Sequence, residues 1–268
     1  MIKKIFLFLS ILIILFFIFC SIFPHLITSY NPDEQNLNEQ LAPPNKKHIL
    51  GQDKLGRDIF SRIIYGSKIS IYIGFFTVFI SVIIGTIIGS ISGYFGGVVD
   101  NLIMRITDIL LGFPGIILAI LIMSVLGPGL NNIIIALTLT GWVGFCRLVR
   151  GQVLSLKERE YIVAAKVISA SSFKIIFFHI LPNIISIIIV KATFDVAGVI
   201  IAEASLSFLG LGTQPPTPSW GMMINEAKQY IMIAPHTIIF PGLVVMILVF
   251  AINIVGDYLR DYFDPKSL

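Results

Sequence analysis

The sequence predicts an all-α, polytopic integral membrane protein with six transmembrane helices. Of its 268 residues, 56% are hydrophobic and 13% are charged, where a soluble domain carries about 25% charge. The mean hydropathy of +0.93 agrees. The apolar residues fall in long unbroken runs rather than the alternating segments of about ten residues that build a barrel. In lipid the backbone must satisfy its own polar groups, so such runs are helices.

The first run, Ile5–Phe23, follows Lys3 and Lys4. It is about 28 Å long as a helix, enough for the hydrocarbon core. No small-x-small cleavage pattern follows it, so it reads as an uncleaved anchor. The second run is Ile69–Ile91. Ile109–Cys146 holds 38 residues without a charge, too many for one span. Gly127-Pro128-Gly129 marks a turn that divides it into spans three and four. The fifth run is Ile184–Ser207 and the sixth Ile238–Gly256. Pro114 and Pro241 lie near the starts of their helices, where a missing N–H does least harm.

Six spans place both termini on one side. With that side cytoplasmic, eleven basic residues fall inside and seven outside. The bias is modest, but Lys3 and Lys4 flank the first span and support an inside N-terminus. Residues 1–68 are then an anchor helix and an extracytoplasmic segment, and residues 69–268 a five-helix core. Asn31-Pro32 and Pro43-Pro44 favour extended or turned backbone in Pro24–Lys68. At its end, Ile59, Phe60, Ile63 and Ile64 share one face and Arg57, Asp58, Ser61 and Arg62 largely the other, the pattern of a helix at the membrane surface or against an external protein. Trp220 follows a proline cluster and reads as an interfacial anchor, ahead of a short helix around Met222–Ile231.

Several chemistries are disfavoured. The net charge of +4 is dispersed, unlike the basic face of a nucleic-acid binder. Cys20 and Cys146 lie in apolar runs and read as buried thiols. His25, His48, His179 and His236 fall in different segments, so no metal site or other cofactor is expected. The chain has no phosphate-binding Gly-x-x-x-x-Gly-Lys-Ser/Thr loop. It is therefore not expected to be an enzyme that hydrolyses ATP.

Between spans four and five, residues 147–183 are both charged and helical in pattern. Good helix formers run from Lys157 through Ile168. Ser169, Ala170, Ser171 and Ser172 interrupt them. Ser171 or Ser172 caps a second helix over Phe173–Leu181, which Pro182 closes. The adjacent Ala164 and Ala165 would let a partner groove approach closely, with Glu160 and Arg159 at its rim. An amphipathic helix lying on the inner lipid surface fits the same residues. In the fifth span, Lys191 and Asp195 are four residues apart and share a helix face, with Glu203 two turns on. Ionisable groups inside a membrane are costly and mark pathways or buried pairs.

These motifs resemble a known family. Glu160-Tyr-Ile-Val-Ala164-Ala165, Ser169-Ala170-Ser171 and His179-Ile-Leu-Pro182-Asn183 are similar to the signature loop of permease subunits in ATP-binding-cassette (ABC) importers. The segment from His48 to Asp58 resembles the one before the second span in the peptide and nickel branch. So do Gly93–Asp100, Leu206–Gly212, Trp220-Gly221 and the ending from Gly256 to Asp264-Pro265. The resemblance covers nearly the whole chain and is nearest to the second permease, the C subunit, of dipeptide and oligopeptide importers.

The resemblance implies a type I ABC importer permease in the cytoplasmic membrane. Its loop would be a coupling helix, with Glu160, Ala164, Ala165, Ser169 and Pro182 at the ATPase contact. It also implies cytoplasmic ATPase subunits, a second homologous permease and an extracytoplasmic solute-binding protein as partners, in membrane lipid. Alternating access would carry dipeptides or oligopeptides, or alternatively nickel, along a path lined by residues such as Lys191, Asp195 and Glu203. The family usually has glycine where this chain has Ser169. Serine there must turn with negative φ or accept a cost of about 1 kcal/mol. A secondary transporter driven by an ion gradient would show broken spans and midplane charges, often with a repeat. Only the fifth span carries such charges. A membrane scaffold without transport is the third reading.

Overall fold

The computed structural model describes residues 2–263. Lys266 and the Asp264-Pro265 ending fall outside the described residues. The chain is helical apart from its connections, with one isolated antiparallel bridge between Gln52 and Asp58. The helices are α1 (Ile2–Ile22), α2 (Ile59–Phe95), α3 (Gly97–Leu111), α4 (Gly115–Leu126), α5 (Leu130–Leu156), α6 (Glu160–Val167), α7 (Ser172–Lys174), α8 (Leu181–Phe208), α9 (Trp220–Ala227) and α10 (His236–Phe263). Among the described residues five helical stretches are long and apolar enough to cross a membrane, six if the bent pair α3–α4 is one span.

That bent pair departs from the expected third span. Residues 109–111 end α3, and the chain turns by 88° before α4. Pro114 offers no N–H and holds Phe113 away from helical backbone, so the break falls at Gly112–Pro114. The 12 residues of α4 reach only about 18 Å, short of the ~30 Å hydrocarbon core. The expected hairpin at Gly127–Gly129 is present, with φ of +82° and +143° at its two glycines. Arginines of α5 hold α3 in place. Arg150 Nη2 donates to Asp100 Oδ2 at 2.6 Å, and Arg147 pairs with Asp108.

The centre of the bundle is the contact of α2 with α5. Ser81, Gly85, Gly89 and Gly93 recur every four residues on α2 and are buried. A Cβ at Gly85 would lie 2.6 Å from Trp142 O and 2.5 Å from Phe145 Cβ. One at Gly89 would strike Cys146 O, and one at Gly93 would lie 2.9 Å from Arg150 O. Small side chains let the two backbones touch over three turns, as in small-xxx-small packing. Cys20 and Cys146 are buried free thiols. The rest of α2 packs on α8, α1 and α9, and α10 packs on α8 and α1. Lys3 and Asp261 meet at 3.4 Å, so α1 begins and α10 ends at the same end of the bundle.

The segment before α2 is not a surface helix. Its residues 59–68 are the first turns of α2, and both faces are covered. Ile59, Ile63 and Ile64 are buried, and so are Arg57, Asp58, Ser61 and Arg62. The polar face is buried because opposite charges come to it. Arg57 Nε donates to Asp53 Oδ2 at 2.6 Å, and Arg57 Nη2 to Glu226 Oε2 at 2.8 Å. Arg62 reaches the same Glu226 oxygen at 3.3 Å, and Lys54 reaches the other at 3.4 Å. Asp58 accepts from Ser61 N at 2.7 Å as the helix cap and meets His48 Nδ1 at 2.8 Å. Residues 24–58 run in short turns and two 3-10 turns, within the extended or turned backbone expected there.

Trp220 is likewise not an interfacial anchor. It is fully buried; its indole N–H donates to Ile63 O at 3.0 Å and its ring meets Phe17 edge-on. Ser219 caps α9 by accepting from Met222 N at 3.3 Å. Pro241 lies inside α10, which begins at His236, before the expected start.

Gly89→Leu is expected to destabilise the fold by about 3 kcal/mol through forced separation of α2 and α5. Gly151→Ala, where a Cβ meets open space, is expected to be neutral or slightly stabilising. Thermal unfolding of the two purified variants in one detergent measures the contrast. Glu226→Gln leaves two buried guanidinium groups short of a counter-charge and is expected to cost about 3–5 kcal/mol, read by the same unfolding measurement.

Candidate functional site

The loop between α5 and α8 is built from α6, a tight turn and α7. One side of α6 belongs to the protein's own core. Ile162 and Ala165 pack with Val153, Phe145, Ile175 and Ile180. The expectation that Ala164 and Ala165 both face outward therefore holds for Ala164 alone, which is exposed, whereas Ala165 is 6% exposed. Residues next to each other on a helix point about 100° apart, so the groove beneath α6 takes one alanine and leaves the other free. Glu160 is exposed in the first turn of α6.

The turn after α6 is a Schellman closure. Ser169 N donates to Lys166 O at 2.9 Å, and Ala170 N to Ala165 O at 3.1 Å. This geometry needs a left-handed residue at the position of Ser169. Serine adopts it, with φ of +58°. The alternative of a negative φ is not taken, because the two terminal carbonyls of α6 would then lose their partners. Ser171 caps the next helix by accepting from Lys174 N at 3.3 Å.

Pro182 does not close that helix. α7 continues through a π-helical stretch (Ile175–Ile180) into α8, so that Ser172–Phe208 is one helix of 37 residues. Leu181 N reaches back to Ile176 O, and Asn183 Nδ2 donates to His179 O at 2.6 Å. The wider turn removes the clash and the missing bond that Pro182 would otherwise impose.

The outer side of the loop is apolar and uncovered. Val167 is 78% exposed, Ile168 79% and Phe173 65%, and Phe173 stacks on Phe177 with centroids 4.3 Å apart. Val167 and Ile168 follow Ala164 by three and four residues and lie on its side of α6. No sequence pattern singled out Val167, Ile168 or Phe173, and only the fold shows which face α5 and α8 leave open.

The ionisable residues of α8 divide into two environments. Lys191 Nζ lies 3.0 Å from Asp195 Oδ2, and both side chains are part-exposed. Lys191 also stands 4.8 Å from the centroid of Phe145. Asp195 opens on a cleft of about 330 Å³ between α2, α4, α5 and α8. Glu203, by contrast, is fully buried; Ser207 Oγ and Ser70 Oγ donate to its two oxygens at 2.8 and 3.1 Å. The structure joins Lys191 with Asp195 and sets Glu203 apart, as a tie between α8 and α2.

Ser169→Gly is expected to stabilise the loop by about 1 kcal/mol, because glycine takes a positive φ without the Cβ penalty. Slower amide hydrogen exchange across residues 160–170 is the measure.

Residues 85–268 match the family described as binding-protein-dependent transport system inner membrane component. The chain is 46% identical over 257 residues to the dipeptide transport system permease protein DppC of Alkalihalophilus pseudofirmus, covering 96% of this chain and 84% of that one. It is 49% identical over 259 residues to the glutathione transport system permease protein GsiD of Shigella flexneri, covering 95% and 84%. Its fold is similar to a chain of the inward-facing MetNI methionine ABC transporter, with a TM-score of 0.58 at 20% identity, over 77% of this chain and 98% of that one. With a family match over more than half its length and relatives near half identical, the chain belongs to the inner membrane components of binding-protein-dependent transport systems.

Proposed function

We propose that this chain is a permease subunit of an ABC importer that carries short peptides across the cytoplasmic membrane. The observation that carries the reading is the exposed α6–α7 surface, together with relatives named for dipeptide and glutathione transport. An apolar patch rimmed by Glu160 and Arg159 suits a protein groove. The same relatives favour peptides over nickel.

ATP hydrolysis would take place in separate cytoplasmic ATPases that receive α6, and a solute-binding protein would deliver the cargo on the other side. The loop lies at the end where α1 begins and α10 ends, since Lys157 at the foot of α5 donates to Gly93 O at the foot of α2. Lys3 and Lys4 at that end support a cytoplasmic side for it. Lys191 and Asp195 are part-exposed in an apolar helix, and such a pair does not face lipid. A second, homologous permease would cover them and complete the pathway. Midplane ionisable groups confined to α8 (Lys191, Asp195 and Glu203) speak against an ion-gradient carrier.

Ala164→Arg is expected to abolish co-purification of the ATPase, because a long cation replaces the one small outward residue at the centre of the patch. Val167→Asp should do the same, while both variants keep the membrane fold. Pull-down from solubilised membranes, with thermal unfolding alongside, tests this; undiminished ATPase capture by both variants rejects the docking role.

A further inference from the structure

We propose that Lys191 and Asp195 form a subsite for the two charged ends of a short peptide, opening the pair to receive an ammonium on Asp195 and a carboxylate on Lys191. The inference rests on the reading of the chain as a peptide permease and specifies what its pathway recognises.

The ion pair joins two residues of one helix, and its contact with a second element is the Lys191 ammonium over the Phe145 ring of α5. Each has the other as its charged partner among the described residues. The cleft that Asp195 lines, at about 330 Å³, falls within the range of small-molecule sites, roughly 300–1,000 Å³. Its lining includes Asp195, Thr140 and Ser81. The Ser81 hydroxyl is 2% exposed and has no hydrogen-bond partner. That hydroxyl lies against Gly141 at the α2–α5 contact bordering the cleft.

The spacing fits a dipeptide. Residues four apart on a helix hold their Cβ atoms about 5–6 Å apart, and two extended residues span roughly 7 Å. On binding, one ion pair within the protein becomes two between protein and ligand, and no net charge enters the cleft. That balance matters where an unpaired charge is strongly disfavoured. The ends are read by charge, while the mostly apolar remainder of the lining leaves side-chain identity open. A peptide whose ends are blocked offers no opposite charge to either residue.

Gly198 provides a reporter. It lines the same cleft, and a Cβ there meets open space; the native cysteines are buried. In the assembled transporter in lipid nanodiscs, Gly198→Cys is labelled with a methanethiosulfonate, with and without Ala-Ala or N-acetyl-Ala-Ala-amide. Ala-Ala at ten times its Kd is expected to slow labelling about tenfold, and the blocked peptide to leave it unchanged. Adding Asp195→Asn should remove the protection. Equal protection by both peptides, or protection that survives Asp195→Asn, overturns the inference. So does Ala-Ala uptake undiminished by Asp195→Asn, a result that leaves the importer reading standing. If the unaltered transporter carries no peptide at all, both fall.

Discussion

The close approach of α2 and α5 is the constraint on which the other contacts depend. Within lipid there is no hydrophobic drive to bring two apolar helices together, so dispersion and shape decide. Ser81, Gly85, Gly89 and Gly93 strip one face of α2 down to backbone, and α5 settles against it. This fixes the ends of both helices. Arg150 at the foot of α5 is then in reach of Asp100, which holds α3, and Lys157 is in reach of Gly93 O. Val149 and Val153 are presented to Ile162 and Ala165, so the position of α6 is set by α5. The same packing places Phe145 and Gly144 under Lys191.

At the other end a different force works. α2 is about 55 Å long, far more than the hydrocarbon core, and its first turns stand among charges. Three basic residues (Lys54, Arg57, Arg62) face Asp53, Glu226 and, at 3.9 Å, Asp33. Burial of such a cluster is tolerable because the charges balance and the guanidinium groups find acceptors. Glu226 lies in α9, so the cluster ties the segment before α2 to the segment after α8. Trp220 does the same with an apolar ring and one hydrogen bond. This end of the bundle is thereby one packed unit, even though its pieces are far apart in sequence.

Much of this was legible in the sequence, for reasons that can be named. Unbroken apolar runs gave the five long apolar helices, α1, α2, α5, α8 and α10, because lipid enforces helix along the whole run. Gly127-Pro128-Gly129 gave the hairpin, because both glycines need backbone that other residues avoid. Ser171 as a cap followed from its side chain. Features set by tertiary contact were misread. Arg57 and Arg62 looked like a wet face, since their partner Glu226 lies more than 160 residues away. Trp220 looked interfacial until Phe17 and Gly66 closed around it. Pro182 looked like a stop, and the π-helical turn let the helix pass. The glycine stripe of α2 was present in the sequence as a four-residue period, but small residues in apolar runs draw attention only when a partner helix is known. In the loop, Glu160 and Ala164 were identifiable by pattern. Ala165 was not separable from its neighbour until the groove beneath α6 was seen.

The unbroken course of Ser172–Phe208 bears on how the proposed coupling would work. Phe173 at its foot is exposed, and Asp195 lies 22 residues on in the same helix, about 33 Å away at the helical rise. A broken helix would let a push on α6 dissipate in the turn at Pro182. A continuous one passes it as a tilt of the whole rod. The π-helical stretch is the one place where the rod departs from regular pitch, and it sits against the core that holds α6 through Ile175 and Ile180. Such stretches have an alternative in regular α-helix, but here Pro182 denies that alternative its hydrogen bond. The geometry therefore keeps the rod whole and gives it a fixed offset. Movement of α6 would reach Lys191 and Asp195 as a change in where α8 lies against α5, the surface on which Phe145 and Lys191 meet.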